Sequence, residues 1–129
     1  MSFAKPASRG ATGQGGALRV GVIGAGIMGS NHGRVLAGLP NVELVGIVDP
    51  LPEHRTRAIA LIGCPTFTDL DGLLAAGVDA VTIAAPTHLH HDISLYILVS
   101  TLINNQNILY WPYFDGKFAY LNHEMLYSL

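Results

Sequence analysis

One run of residues constrains this chain more than any other: Gly24-Ala25-Gly26-Ile27-Met28-Gly29, a G-x-G-x-x-G spacing set between an apolar segment and a helix-forming one. The glycines alone say little. Their context says more, because Leu18-Arg19-Val20-Gly21-Val22-Ile23 reads as a buried strand and the residues from Met28 onward read as a helix. Each glycine then has a mechanical task. Gly24 permits a tight turn out of the strand, Gly26 lets a diphosphate approach the backbone, and Gly29 lets the helix pack closely on the sheet. The start of the helix offers unpaired N–H groups and a partial positive charge to phosphate.

The following residues repeat the alternation. In the first helix Met28, His32, Val35, Leu36 and Leu39 fall on one face, which is expected to pack on the sheet, and Gly38 and Pro40 stop it. A second strand is expected over Val42–Val48, a helix over 53–62 with Pro52 at its start, and a short strand at Thr66–Phe67. A third helix over Leu70–Ala76 is capped by Asp69 or Asp71 and closed by Gly77. A fourth strand covers 80–84, and Pro86 forbids its continuation. Strict alternation of strands apolar on both faces with helices predicts a Rossmann-type three-layer α/β/α fold with a parallel sheet, incomplete at its C-terminal side.

Asp49 lies at the end of the second strand, 20 residues after Gly29. An acid there accepts hydrogen bonds from the adenosine ribose and repels a 2′-phosphate. No arginine follows it directly, Arg55 and Arg57 being further on. The expected cofactor is therefore NAD, with NADP disfavoured; the plainer reading of Asp49 is a turn residue before Pro50. Ile27 and Met28 are placed against the cofactor, although apolar residues opening a helix more often serve the core. His32, on an otherwise apolar face, reads as a core or helix-end histidine before a catalyst.

Composition closes off other classes. Half of the 129 residues are hydrophobic, 12% are charged and the net charge is −2, which excludes a disordered chain and leaves no basic footprint for nucleic acid. Cys64, the one cysteine, forms no internal disulfide and reads as a small turn residue. The apolar run 93–103 is shorter than the about 20 residues a spanning helix needs, so no membrane partner and a cytoplasmic location are expected. Residues 1–17 read as a flexible leader, 18–103 as the dinucleotide-binding domain and 104–129 as an atypical tail that holds Tyr110, Trp111, Tyr113 and Phe114. Two readings of that tail compete. One is a fifth strand over 108–111 plus a short terminal helix. The other, which is favoured, is sequence unrelated to the domain ahead of it, as a frameshift or truncated gene produces. A sheet short of its later strands exposes an edge, which predicts self-association.

The loop Ala85-Pro86-Thr87-His88-Leu89-His90-His91-Asp92 follows the fourth strand, on the sheet edge where ligands bind. Its three histidines invite a metal, but no partner cluster occurs elsewhere, so cofactor contact or helix capping is preferred and no metal is expected. Together the glycine run with His32, Val48-Asp49-Pro50 and the Pro86-Thr87-x-x-His90 pattern resemble the N-terminal domain of the glucose–fructose oxidoreductase and inositol dehydrogenase (Gfo/Idh/MocA-like) family, over about 70 residues. The resemblance implies NAD(P)-dependent oxidation or reduction of a sugar or cyclitol hydroxyl. It implies that Gly24, Gly26 and Gly29 hold the pyrophosphate, Asp49 the adenosine ribose, and that Pro86, Thr87 and His90 shape the cleft floor. It also implies two features that are missing. The family's Glu-Lys-Pro motif would fall near Asn107-Ile108-Leu109 and occurs nowhere here, and Lys117 comes too late to replace it. A substrate-binding second domain has no room to form before Leu129. The expected function is NAD(H) binding by a truncated member, with catalysis lost or incomplete and no catalytic residue assigned. The alternatives are a working oxidoreductase and a non-enzymatic interaction protein that uses the aromatic tail.

Overall fold

The computed structural model describes residues 16–103, 108–114 and 117–118. Strands β1 (Leu18–Ile23), β2 (Val42–Val48), β3 (Thr66–Phe67), β4 (Ala80–Ile83), β5 (Leu109–Phe114) and β6 (Lys117–Phe118) form one sheet in the order β3-β2-β1-β4-β5-β6. All pairs are parallel except β5 with β6. Helices α1 (Ile27–Gly38), α2 (Pro52–Ile62), α3 (Leu70–Ala76) and α4 (His90–Ile103) connect them, α4 following a 3-10 turn at Thr87–Leu89. The expected three-layer α/β/α architecture is therefore present. Residues 1–15 of the expected leader, and the terminal helix expected in the tail, lie outside the described residues. β5 falls where one reading of the tail placed a strand, and Pro112 is the last β5 residue in register with β4. Pairing with β6 begins one residue later. A residue without an N–H thus stands where one ladder hands over to the next.

The sheet carries two apolar layers. Val22 and Ile47 point to one face, where Ala58, Cys64, Leu36 and Ile62 from α1, α2 and the loop after α2 meet them. Ile23, Val48, Val81 and Ile83 point to the other, against Leu73 of α3 and Ile97 of α4. The pairing of β1 with β2 slips by one residue, from Val20 opposite Leu44 to Gly21 opposite Gly46. Such a bulge sharpens strand twist.

One expectation fails in detail. The buried residues of α1 are Gly29, Ser30 and Gly33, whereas Met28, Val35 and Leu39 are exposed and His32 and Leu36 half-buried. The reason is distance. A Cβ on Gly33 would lie 2.7 Å from Ile47 Cδ1. The helix seats on small residues so that its first turn can approach the ends of β1 and β2; of the stripe read from spacing, Met28, Val35 and Leu39 turn outward, while Leu36 still packs on the sheet and His32 lies beside Thr82.

Local chemistry ends the other elements as anticipated. Asp69 caps α3 by accepting the Gly72 N–H at 2.9 Å, and Gly63 ends α2 in the left-handed region at φ 76°. At the sheet edge away from the glycine turn, Arg19 donates to the Gly77 and Ala76 carbonyls at the end of α3 and pairs with Glu43 at 2.7 Å. Burial drives the assembly, and Leu73 is its best single probe: it is fully buried and fills the space above Gly21, whose missing Cβ would lie 2.6 Å from its Cδ2. Leu73→Ala is expected to cost roughly 2–5 kcal/mol in urea denaturation.

Candidate functional site

The sheet order reverses direction between β1 and β4, and a crevice opens there beyond the carboxyl ends of both strands. Chain leaving β1 forms one wall. Gly24 has φ +104°, and a Cβ on it would come within 2.8 Å of the backbone at Ala84 and Ala85. Gly29 is tighter, because a Cβ there would overlap the Gly24 carbonyl oxygen. Gly26 differs from both: nothing lies within 4 Å of where its Cβ would be. Gly24 and Gly29 are therefore required by the turn itself. Gly26 borders open space, so packing within the chain does not account for its bareness.

Gly26 is also the N-cap of α1, with no side-chain cap and no acid in the first turn. The N–H groups that open a helix and lack internal partners thus face the crevice without a side chain of their own to satisfy them. A cleft of about 450 Å³ lies in front of them, lined by Gly24, Gly26, Ile27, Met28, Asp49, His54, Ala84, Ala85, Pro86 and Thr87. Ile27 and Met28 are exposed at its rim. A second, more apolar cleft of about 350 Å³ adjoins it between Pro50, Leu51, Leu70, Leu89 and Ile93.

Asp49 stands between the two clefts and is almost fully buried. Its Oδ2 accepts the Ala25 N–H at 2.8 Å and lies 3.0 Å from His54 Nδ1, and its Oδ1 accepts the Leu51 N–H at 2.9 Å. Burial alone would raise its pKa. The hydrogen bonds from Ala25, Leu51 and His54, with the attraction of the imidazole, outweigh burial and hold the carboxyl below its ordinary value. Asp49 is thus an ionised acceptor, and His54 Nδ1 carries the proton between them.

Two guanidiniums complete the frame. Arg55 donates to the Asp49 carbonyl at 2.8 Å, and Arg57 donates to the Ala25 carbonyl at 3.0 Å. Both arginines of α2 brace backbone. His54, Arg55 and Arg57 were not assigned to the site from sequence. The available signal was Pro50-Leu51-Pro52, which folds the chain back so that the first turn of α2 returns to the strand end.

The opposite wall is the loop after β4. Pro86 and Thr87 line the cleft. His90 does not line it: the ring is buried, with Nε2 2.6 Å from the Ala85 carbonyl oxygen, so it shapes the wall from behind. His88 and His91 are exposed, and among the described residues no three His, Cys, Asp or Glu side chains gather to hold a metal ion. His32 is half-buried, with Nδ1 3.4 Å from Thr82 Oγ1, and burial lowers its pKa. Cys64 is buried and its thiol is pushed up by burial, the opposite of an activated nucleophile. No helix among the described residues is long and apolar enough to cross a membrane.

Two outcomes test this geometry. Gly29→Ala is expected to unfold the turn and lower the melting temperature sharply, whereas Gly26→Ala is expected to cost about 1 kcal/mol or less, comparable to an altered helix cap. The folded pKa of Asp49 is depressed, so its stabilisation is complete above the unfolded carboxylate value of about 3.9 and is lost as pH falls through the folded value. Asp49→Asn is accordingly expected to be less stable than the parent at pH 7, by about 1–3 kcal/mol. That gap should shrink on acidification below about pH 4 in parallel urea titrations.

Comparison with known proteins agrees with this geometry. Residues 18–101 match the family described as "Oxidoreductase family, NAD-binding Rossmann fold". The chain is 43% identical over 81 residues to inositol 2-dehydrogenase 4 of Saccharopolyspora erythraea, covering 60% of this chain and 24% of that protein. It is 36% identical over 77 residues to UDP-N-acetylglucosamine 3-dehydrogenase of Acidithiobacillus ferrooxidans, covering 60% of this chain and 24% of that protein. Among solved structures it is similar to GenD2 from gentamicin A biosynthesis in complex with NAD, with a TM-score of 0.60 and 31% identity over 74% of this chain and 26% of the other. The WlbA dehydrogenase from Bordetella pertussis, in complex with NADH and UDP-GlcNAcA, gives a TM-score of 0.61 and 29% identity over 74% and 28%. The chain spans about a quarter of the length of the curated relatives it matches. With a glycine turn, a buried strand-end carboxylate and this match over most of its described domain, the chain belongs to the Gfo/Idh/MocA oxidoreductase family and forms its NAD-binding Rossmann domain.

Proposed function

We propose that this chain binds NAD(H) across the crevice between β1 and β4, as the nucleotide-binding unit of an oxidoreductase-type protein acting on sugars or cyclitols. The observation that carries the reading is the open space at Gly26, in front of an uncapped helix start, in a turn whose other two glycines are required for packing. The residues present fit the cofactor. Gly24, Gly26, Ile27 and Met28 would hold the pyrophosphate, with Gly29 keeping the turn closed behind them. Asp49 would hold the adenosine ribose. Pro86 and Thr87 would form the facing wall, with His90 setting the Ala85 carbonyl from behind. The bound nicotinamide would supply the hydride acceptor or donor; this chain's own residues bind, orient and shield it.

Asp49 favours NAD over NADP, because its depressed pKa keeps a negative charge where a 2′-phosphate would lie. Arg55 and Arg57 do not offset that charge, since each is engaged with a backbone carbonyl. Isothermal titration is expected to show NADH binding at least about tenfold tighter than NADPH, a difference of about 1.4 kcal/mol. Gly26→Ala should abolish that heat in a protein that still melts cooperatively. Absence of heat with millimolar NADH and the unaltered chain would sink the reading.

Catalysis by these residues alone is not proposed. The 129 residues contain no Glu-Lys-Pro run, and the two titratable side chains among the described lining of the crevice, Asp49 and His54, are paired with each other. The dehydrogenase names of the relatives favour a second reading, in which the chain turns over. Inositol and UDP-N-acetylglucosamine, screened for NAD reduction by absorbance, discriminate the two. No turnover is expected; turnover abolished by Lys117→Ala would establish the second.

A further inference from the structure

We infer that His54 is an exchangeable guard on the ribose-binding carboxylate: its imidazole holds Asp49 Oδ2 while the crevice is empty and yields that oxygen to a ribose hydroxyl when an adenosine dinucleotide enters. The inference rests on the dinucleotide reading above and deepens it.

The argument is a count of acceptor sites. A carboxylate offers about four, two on each oxygen. Oδ2 already takes the Ala25 N–H at 2.8 Å and His54 Nδ1 at 3.0 Å, and Oδ1 takes the Leu51 N–H at 2.9 Å. One site remains, on Oδ1. A ribose presents two neighbouring hydroxyls, and gripping both with one carboxylate in a bidentate manner needs a site on each oxygen. One existing donor on Oδ2 must therefore leave. Ala25 is fully buried, in the turn whose geometry Gly24 and Gly29 enforce, so its N–H stays. The imidazole is held by rotatable side-chain bonds, is 31% exposed and lines both clefts. It is the donor free to go.

Exchange makes binding depend on charge. Imidazoles ordinarily change charge between pH 5 and 8. A protonated ring grips a carboxylate more strongly than a neutral one, because the hydrogen bond becomes charge-assisted. Acid therefore strengthens the guard and weakens the competing ribose. The charged groups around the pair are Arg55 on the Asp49 carbonyl, Arg57 on the Ala25 carbonyl, Glu53 beside His54 in α2, and Asp69 at the adjoining cleft. The facing loop 84–87 brings no charge.

The test is calorimetric titration of the full chain with ADP-ribose at pH 8 and pH 6, beside an analogue lacking the adenosine 2′- and 3′-hydroxyls. The unaltered protein is expected to bind ADP-ribose about fivefold or more weakly at pH 6. His54→Ala should bind at pH 8 at least as tightly as the parent and lose the pH dependence, and the analogue should show none with either protein. Equal weakening in His54→Ala or with the analogue, or weaker binding by His54→Ala at pH 8, overturns the inference. A measurement on the unaltered protein removes any dependence on how the variant folds. The nitrogen resonance of His54 Nδ1 should move when ADP-ribose is added at pH 8, and a resonance that stays in place overturns the exchange. No heat at pH 8 would overturn the dinucleotide reading along with this one, whereas heat that is insensitive to pH overturns the exchange alone.

Discussion

The hydrogen bond from the Ala25 N–H to the Asp49 carboxylate is the contact on which the rest of the site depends. It joins the ends of the neighbouring strands β1 and β2, and it does so with a charged acceptor in a nearly dry place, where such a bond is stronger than its neutral counterpart. Once it is made, the glycine turn is tied to β2, the first helix is aimed, and the carboxylate is held at the boundary between two clefts. Arg57 reinforces the same turn from the other side by donating to the Ala25 carbonyl. One residue of the turn is thus gripped through both its N–H and its C=O.

The three glycines serve that arrangement unequally. Gly24 and Gly29 are consumed by packing: their missing side chains are filled by the chain's own backbone. Gly26 is not, and that asymmetry separates a turn that merely folds from a turn that leaves room for a ligand. The same economy of atoms explains why α1 lies on Gly29, Ser30 and Gly33. A helix that must bring its first turn to the strand ends cannot hold itself away from the sheet with large side chains. Histidines near the crevice follow the same division. His90 and His32 belong to the scaffold, one against the Ala85 carbonyl and the other beside Thr82, and among the described histidines His54 is the one that lies on the cleft with the acid.

Much of this was legible beforehand. The alternation of apolar strands and capped helices announces the parallel sheet, because strand period, glycine stops and proline breaks are local properties of neighbouring residues. Gly24, Gly26, Gly29 and Asp49 were legible for the same reason, since their spacing along two strand–turn–helix units fixes where they arrive. What stayed hidden was the company Asp49 keeps. Nothing in Asp49-Pro50-Leu51-Pro52-Glu53-His54 states that the imidazole turns back onto the carboxylate, or that Arg55 and Arg57 reach the carbonyls of Asp49 and Ala25.

By itself, then, the order of residues determined the class of fold, the family and the positions of the glycine turn and the strand-end acid, because each of these follows from periodicity and from the steric freedom of glycine. Only the tertiary structure decided which face of α1 is buried, which glycine is free, which histidine meets the acid and how many of that acid's acceptor sites are already taken. Those are questions of approach between segments distant in sequence. Their answers depend on distances of a few tenths of an ångström, which no local pattern encodes.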